Sequence, residues 1–228
     1  MKSLTALHNI LIIDAATTQA VVGVIRDGQC LAQHQWTSSR GSPGILVSQI
    51  QALLHDTATA WHALDAILVG CGPGQYAGLR VSVTVAQALQ RPAHAQVVGI
   101  CSAYALCAAA TAETADILVC GDARRNHIWL YHWKHETRQA SPALQVISRT
   151  DVASINAPEG SILISPDYAR LHEQLPIPET VQWMEGDRHP TAEAIYKAAC
   201  SYPDAITSPE ILYVHPPVTT AHSLAAQA

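Results

Sequence analysis

No phenylalanine occurs in this sequence, and aromatic residues make up only 5 % of it, so Leu, Ile, Val, Ala and five Trp must fill any core. Charge is also scarce: 14 % of residues are charged and the formal net charge is -5. With 49 % apolar residues, that balance excludes a disordered chain. It also excludes a broadly basic, RNA-gripping surface. The cysteines Cys30, Cys71, Cys101, Cys107, Cys120 and Cys200 form no C-x-x-C pair, and several sit in apolar runs. Such thiols read as reduced and buried rather than as a disulfide frame, which points to the cytoplasm. The first apolar run, Ile10 to Ile13, ends at Asp14 and is too short for a signal segment or a membrane span. The expectation is a cytoplasmic protein without a membrane partner.

Several chemistries lack their signatures. There is no G-x-x-x-x-G-K-[ST] loop, no G-x-S-x-G elbow and no H-x-x-x-H or H-E-x-x-H helix. His127, His132 and His135 cluster, but His132 and His135 fall on opposite faces of a strand. No metal site is expected.

What is present has α/β periodicity. Residues 10–14, 21–25 and 30–36 read as strands, the last two joined by the hairpin signal Asp27-Gly28. Leu46, Ile50, Leu53 and Leu54 recur at helical spacing. A strand at 66–70, a helix from Tyr76 to Gln90 stopped by Pro92, and a strand at 97–100 follow, with Ser102 placed to cap the next helix. The second half opens in a related way, with strands at 116–122 and 126–134 and a third apolar run at 144–147. Each half carries an Asp near the end of its first strand, which suggests an internal duplication. A short strand at 162–164 and a helix at 191–200 capped by Thr191 complete the pattern, and the last dozen residues read as a frayed tail.

Three segments carry candidate chemistry. Val69-Gly70-Cys71-Gly72-Pro73-Gly74-Gln75-Tyr76 leads a strand straight into a helix, whose unpaired amides can hold an anion. The same glycines equally suit a tight turn chosen for helix packing. Asp14 to Thr18 can hold a cation or wrap a phosphate, or form an ordinary turn. Asp122-Ala123-Arg124-Arg125 can grip an anion, or be a solvated turn with surface ion pairs. The candidate anion or nucleotide contacts are therefore Asp14, Thr17, Gly72, Gly74 and Arg80.

Taken together, these segments resemble the TsaB (YeaZ) family. Leu11 to Thr17 is similar to its opening I-D-T-[AS]-T, Gly72 to Arg80 to its G-P-G-S-[FY]-T-G-[VL]-R, and Asp122 to Arg125 to its D-A-R-x turn. Pro209 to Pro217 resembles its closing P-x-Y-L-R-x-P. Gln75 and Ala77 stand where that family usually has Ser and Thr, and His215 stands at or near its closing Arg. The resemblance implies a duplicated ribonuclease-H-like fold of the actin and sugar-kinase ATPase kind. That is an α/β chain of two lobes with mixed sheets, about 1–104 and 105–228, the second smaller and degenerate, with its C-terminal helix a candidate to pack back on the first lobe.

The resemblance further implies a non-catalytic scaffold subunit in forming threonylcarbamoyladenosine at position 37 of tRNA. Its partners would be a TsaD-like catalytic paralogue and a TsaE-like ATPase, with a homodimer when alone and tRNA met only indirectly. No cofactor would be required, and ATP or ADP would sit at the partner interface. The family's dimer interface falls on the helices at about 45–58 and 76–90, which puts Leu46, Ile50, Leu53, Tyr76, Ala77, Gly78, Val81 and Val85 there. Small and apolar side chains at these positions suit a close helix contact, and suit packing on the chain's own sheet as well. Two competing readings are an ATP-dependent phosphoryl or acyl transferase, with Asp14 holding Mg²⁺ and Asp122 as base, and an inactive glycoprotease-like homologue.

Overall fold

The computed structural model describes residues 4–38, 43–110, 115–135, 139–140 and 144–214. The first lobe begins with β1 (Asn9–Asp14), β2 (Gln19–Arg26) and β3 (Gln29–Thr37). β1 and β2 are buried almost throughout, as their continuous apolar runs require, whereas β3 alternates between exposed and half-buried positions, as an edge strand does. Helix α1 (Pro43–Asp56), β4 (Ala66–Gly70), α2 (Tyr76–Ala93), β5 (Gln96–Ile100) and α3 (Ser102–Ala109) follow. The second lobe contains β6 (Ile117–Arg124), β7 (His127–Lys134), β8 (Gln139–Ala140), β9 (Gln145–Ser148), β10 (Ser161–Ile164), α4 (Tyr168–Leu171) and β11 (Val181–Trp183). Finally α5 (Ala192–Ser201) and β12 (Ile206–Thr207) return to the first lobe, where β12 pairs with β5.

The two sheets share one plan. The first has the order β12-β5-β4-β1-β2-β3, with β1 antiparallel to β2 and parallel to β4. The second has the order β11-β10-β6-β7-β8, with β6 antiparallel to β7 and parallel to β10. β9 pairs with β7 as β3 pairs with β2. The duplication is thus visible in strand order and sense, and the fold is the expected α/β arrangement of two mixed sheets.

Cores form on both faces of each sheet. In the first lobe, α1 and α2 cover one face over Leu11, Ile13, Val22 and Val69, and α5 covers the other over Ile10, Ile12 and Val21. Three expectations need correction. Pro92 lies within the last turn of α2 rather than stopping it, because the ring there forfeits a single intrahelical bond, and the helix ends at His94 in a left-handed conformation. Ser102 does not cap α3: Cys101 holds the cap position, and the Ser102 hydroxyl is drawn to a carboxylate instead. The predicted strand at 21–25 is longer, at 19–26, because the β1–β2 turn is tighter than its polar residues suggest. The frayed tail and His215 lie outside the described residues. No described helix is long and apolar enough to cross a membrane.

Candidate functional site

Asp14 ends β1 and is wholly buried. One carboxylate oxygen accepts the Ala16 amide at 2.8 Å, and the other accepts the Ser102 hydroxyl at 2.6 Å. The Gly72 amide donates to the same hydroxyl at 3.3 Å. Burial raises the Asp14 carboxyl above its ordinary value, and the two hydrogen bonds only partly oppose this. Both oxygens are committed to the chain itself, joining the end of β1 to the loop before α2 and to the start of α3.

One amide of the helix start proposed for an anion is also committed to the chain. The Gln75 amide, at the N-terminus of α2, donates to the Ala16 carbonyl at 2.7 Å. A Cβ at Gly74 would collide with that carbonyl, and one at Gly78 with the carbonyl of Ala15. Gly74 and Gly78 therefore let α2 close onto the β1–β2 turn. Gly72 is buried and its carbonyl accepts the Ser102 amide at 2.8 Å, so it is an internal tie. The Thr17 hydroxyl donates to the Gln19 carbonyl and accepts from His189 at 3.0 Å. Of the expected anion contacts only Arg80 is exposed, and it bonds the Tyr76 hydroxyl at 3.0 Å while lying 5.2 Å from the centre of that ring.

The buried thiols offer no reactive alternative. Burial raises Cys71 to about 12 and Cys101 to about 11. No group of three or more His, Cys, Asp or Glu residues arranged to hold a metal occurs among the described residues.

The expected interface residues separate into two sets. Leu46, Ile50 and Leu53 are a correction: they are at most 3 % exposed, packed against the chain's own sheet, and cannot meet a partner directly. Gly78, Val81 and Val85 are partly covered, whereas Tyr76 and Ala77 are exposed. On α1 the outward apolar positions are Ile45 and Val47, one step either side of buried Leu46. On a helix each step turns about 100°, so Ile45 and Val47 flank the buried stripe on either side.

α1 and α2 run side by side in the same direction. α1 starts after β3 and ends beside Arg26, whose guanidinium bonds the Thr57 carbonyl at the far edge of the sheet. α2 starts after β4, which is parallel to β1. Both helix starts thus lie at one end of the lobe. The chain from Pro209 returns to that end: the Leu212 amide donates to the Cys71 carbonyl at 2.8 Å, and the Tyr213 ring packs 5.3 Å from that of Tyr76. Among the described residues seven large apolar side chains are exposed, and five of them lie on these elements: Ile45 and Val47 near the start of α1, Tyr76 at the start of α2, and Leu212 and Tyr213 on the returning segment. Sequence reasoning did not single out Ile45, Leu212 or Tyr213 as exposed apolar positions. The signal for the last two was available in the closing motif around Tyr213.

A family model for tRNA N6-adenosine threonylcarbamoyltransferase, TsaD, matches residues 37–209. The chain belongs to this family. An uncharacterized protein of Mycobacterium leprae is 34 % identical over 166 residues, which span 71 % of this chain and 44 % of the relative. An uncharacterized protein of Mycobacterium bovis is 30 % identical over 70 % of this chain and 77 % of its own length. The Bacillus subtilis tRNA threonylcarbamoyladenosine biosynthesis protein TsaB is 24 % identical over 73 % of this chain and 74 % of its own. Among solved structures, YeaZ from Pseudomonas aeruginosa superimposes with a TM-score of 0.73 at 18 % identity, covering 91 % of this chain and all of that one, which establishes a shared fold.

Proposed function

We propose that this chain is a non-catalytic docking subunit in threonylcarbamoyladenosine formation on tRNA, binding a TsaD-like paralogue through the end of the first lobe where α1, α2 and the returning C-terminal segment meet. The observation that carries this reading is that five of the seven exposed large apolar side chains among the described residues, Ile45, Val47, Tyr76, Leu212 and Tyr213, lie on the elements that share that end. Exposed apolar side chains are ordinary when scattered, and mark contact surfaces when they adjoin. Tyr76 and Tyr213 supply the rigid aromatic contact area typical of interface anchors, and Arg80 adds a cation beside them. The same surface serves a homodimer when the partner is absent. A TsaE-like ATPase joins the pair, any nucleotide sits between chain and partner, and this chain requires no cofactor of its own.

The transferase reading is weaker because Asp14 is sealed. A carboxylate that holds Mg²⁺ must reach the ion and the waters it keeps, and the Asp14 side chain is wholly buried with both oxygens turned to groups of the chain itself. Size-exclusion chromatography and calorimetry with the paralogue test the docking reading. Val47→Glu together with Ala77→Glu places two charges in the contact and should weaken association at least about tenfold while leaving the melting temperature nearly unchanged. Unchanged association would overturn it.

A further inference from the structure

The hairpin turn of the second lobe is built at a conformational cost and points cations outward. Arg124, Arg125 and Asn126 occupy consecutive left-handed positions, with φ of 64°, 49° and 62°. Non-glycine residues rarely adopt such values, and a run of three persists only where surrounding contacts impose it. Those contacts are present. The Arg124 amide donates to Asp122 at 2.8 Å, the His127 ring donates to the Arg125 carbonyl at 2.7 Å, and the Arg149 amide donates to the Asn126 carbonyl at 2.9 Å.

The charges around the turn are sorted. Asp122 is neutralised from behind by Arg149 at 3.2 Å and Arg170 at 3.3 Å. Arg124 and Arg125 are exposed, and among the described residues neither guanidinium enters these pairs. Beside the turn, a cavity of about 460 Å³ is lined by Asn126, Arg149, Thr150 and Gln174, with Glu173 as its acidic residue. The Arg149 Nε in this wall is buried and lacks a hydrogen-bond partner among the described residues.

We infer that this turn contacts the phosphodiester backbone of RNA, with Arg124 and Arg125 each meeting a phosphate. Two adjacent cations on a projecting, rigid turn match a polyanion, whereas a single free phosphate needs donors that converge around it. The choice of RNA rests on the reading under Proposed function, and the inference departs from the expectation that tRNA is met only indirectly. On a chain of net charge -5 the contact is local and modest. It orients RNA on the chain and supplies a weak, salt-sensitive share of the affinity.

The test is fluorescence anisotropy of the full chain with a labelled tRNA across a range of salt. Arg124→Gln/Arg125→Gln should lower affinity about tenfold and flatten the plot of log affinity against log salt by about 1.5 units, since each phosphate contact contributes about 0.7–0.9. Charge reversal to Glu should deepen both effects, and circular dichroism should show the fold unchanged. An unchanged slope and affinity would overturn the inference. So would displacement of the RNA by millimolar ATP or inorganic phosphate, which would assign the turn to a small anion. The Gln variants should keep full association with the paralogue, and Val47→Glu/Ala77→Glu should keep full RNA binding, so failure of one reading is distinguishable from failure of the other.

Discussion

In the first lobe Asp14 accepts the amide two residues ahead at 2.8 Å, and in the second Asp122 does the same at 2.8 Å. From that shared turn the lobes diverge. Behind Asp14 stands a hydroxyl, and above it an 18-residue helix closes down on Gly74 and Gly78. The position of α2, after the strand parallel to the first, is filled in the second lobe by α4, which has four residues. With so little helix to cover it, Asp122 is held by charged groups: Asp167 accepts its amide, and Arg149 and Arg170 flank its carboxylate. One duplicated plan thus yields a sealed turn covered by a long helix and an open turn that carries charge. The difference shows that in this chain the acidic turn is a scaffold whose chemistry depends on what packs over it.

The comparison breaks first at the helix contact. Gly78→Ala places a methyl group against the Ala15 carbonyl, which the backbone cannot vacate, and should cost about 3 kcal/mol in denaturant unfolding. Little change would mean that the close approach is not required.

The two aspartates should then separate. Asp14→Ala leaves the Ala16 amide and the Ser102 hydroxyl without their acceptor in a fully buried site, at a cost of about 2–3 kcal/mol. Asp122→Ala, partly solvated, should cost about 1 kcal/mol. pH sharpens the contrast. Because the folded Asp14 carboxyl titrates above its ordinary 3.8, its contribution is complete below that pH and is lost as pH rises through the folded value. Asp14→Asn should therefore gain on the parent chain as pH increases from about 4 to 7 in paired unfolding curves. A gain in the opposite direction would show that the carboxylate is favoured by its surroundings. The smallest effect belongs to the open turn. Arg124→Gly relieves a left-handed residue and should stabilise the chain by about 1 kcal/mol, raising the melting temperature by a few degrees.

Much of this architecture was legible from residue order. β4 falls on the predicted 66–70, Thr191 caps α5 by accepting the Ala194 amide, and the paired strand openings announced the duplication. Apolar periodicity reports burial, and burial is what fixes strands and helices. It fails where the same periodicity must distinguish inward from outward. Leu46, Ile50 and Leu53, expected at a partner, lie in the core, whereas Val47 of the same apolar stripe and its neighbour Ile45 are exposed. The glycine loop was legible as a turn of two meanings. Only the Ala15 and Ala16 carbonyls, 58 or more residues away in sequence from Gly74 and Gly78, decide between them. Ser102 was read from its local position as a cap, and a carboxylate 88 residues away claimed its hydroxyl. Tertiary partners of this kind leave no trace in local spacing.

Hydrogen exchange on the full chain, with and without its paralogue, addresses the docking surface most directly. The amides of 45–52, 76–88 and 210–214 should slow together when the partner binds, while the sheet of the second lobe is unaffected. Protection confined to the second lobe, with these three segments exchanging as before, would contradict the account.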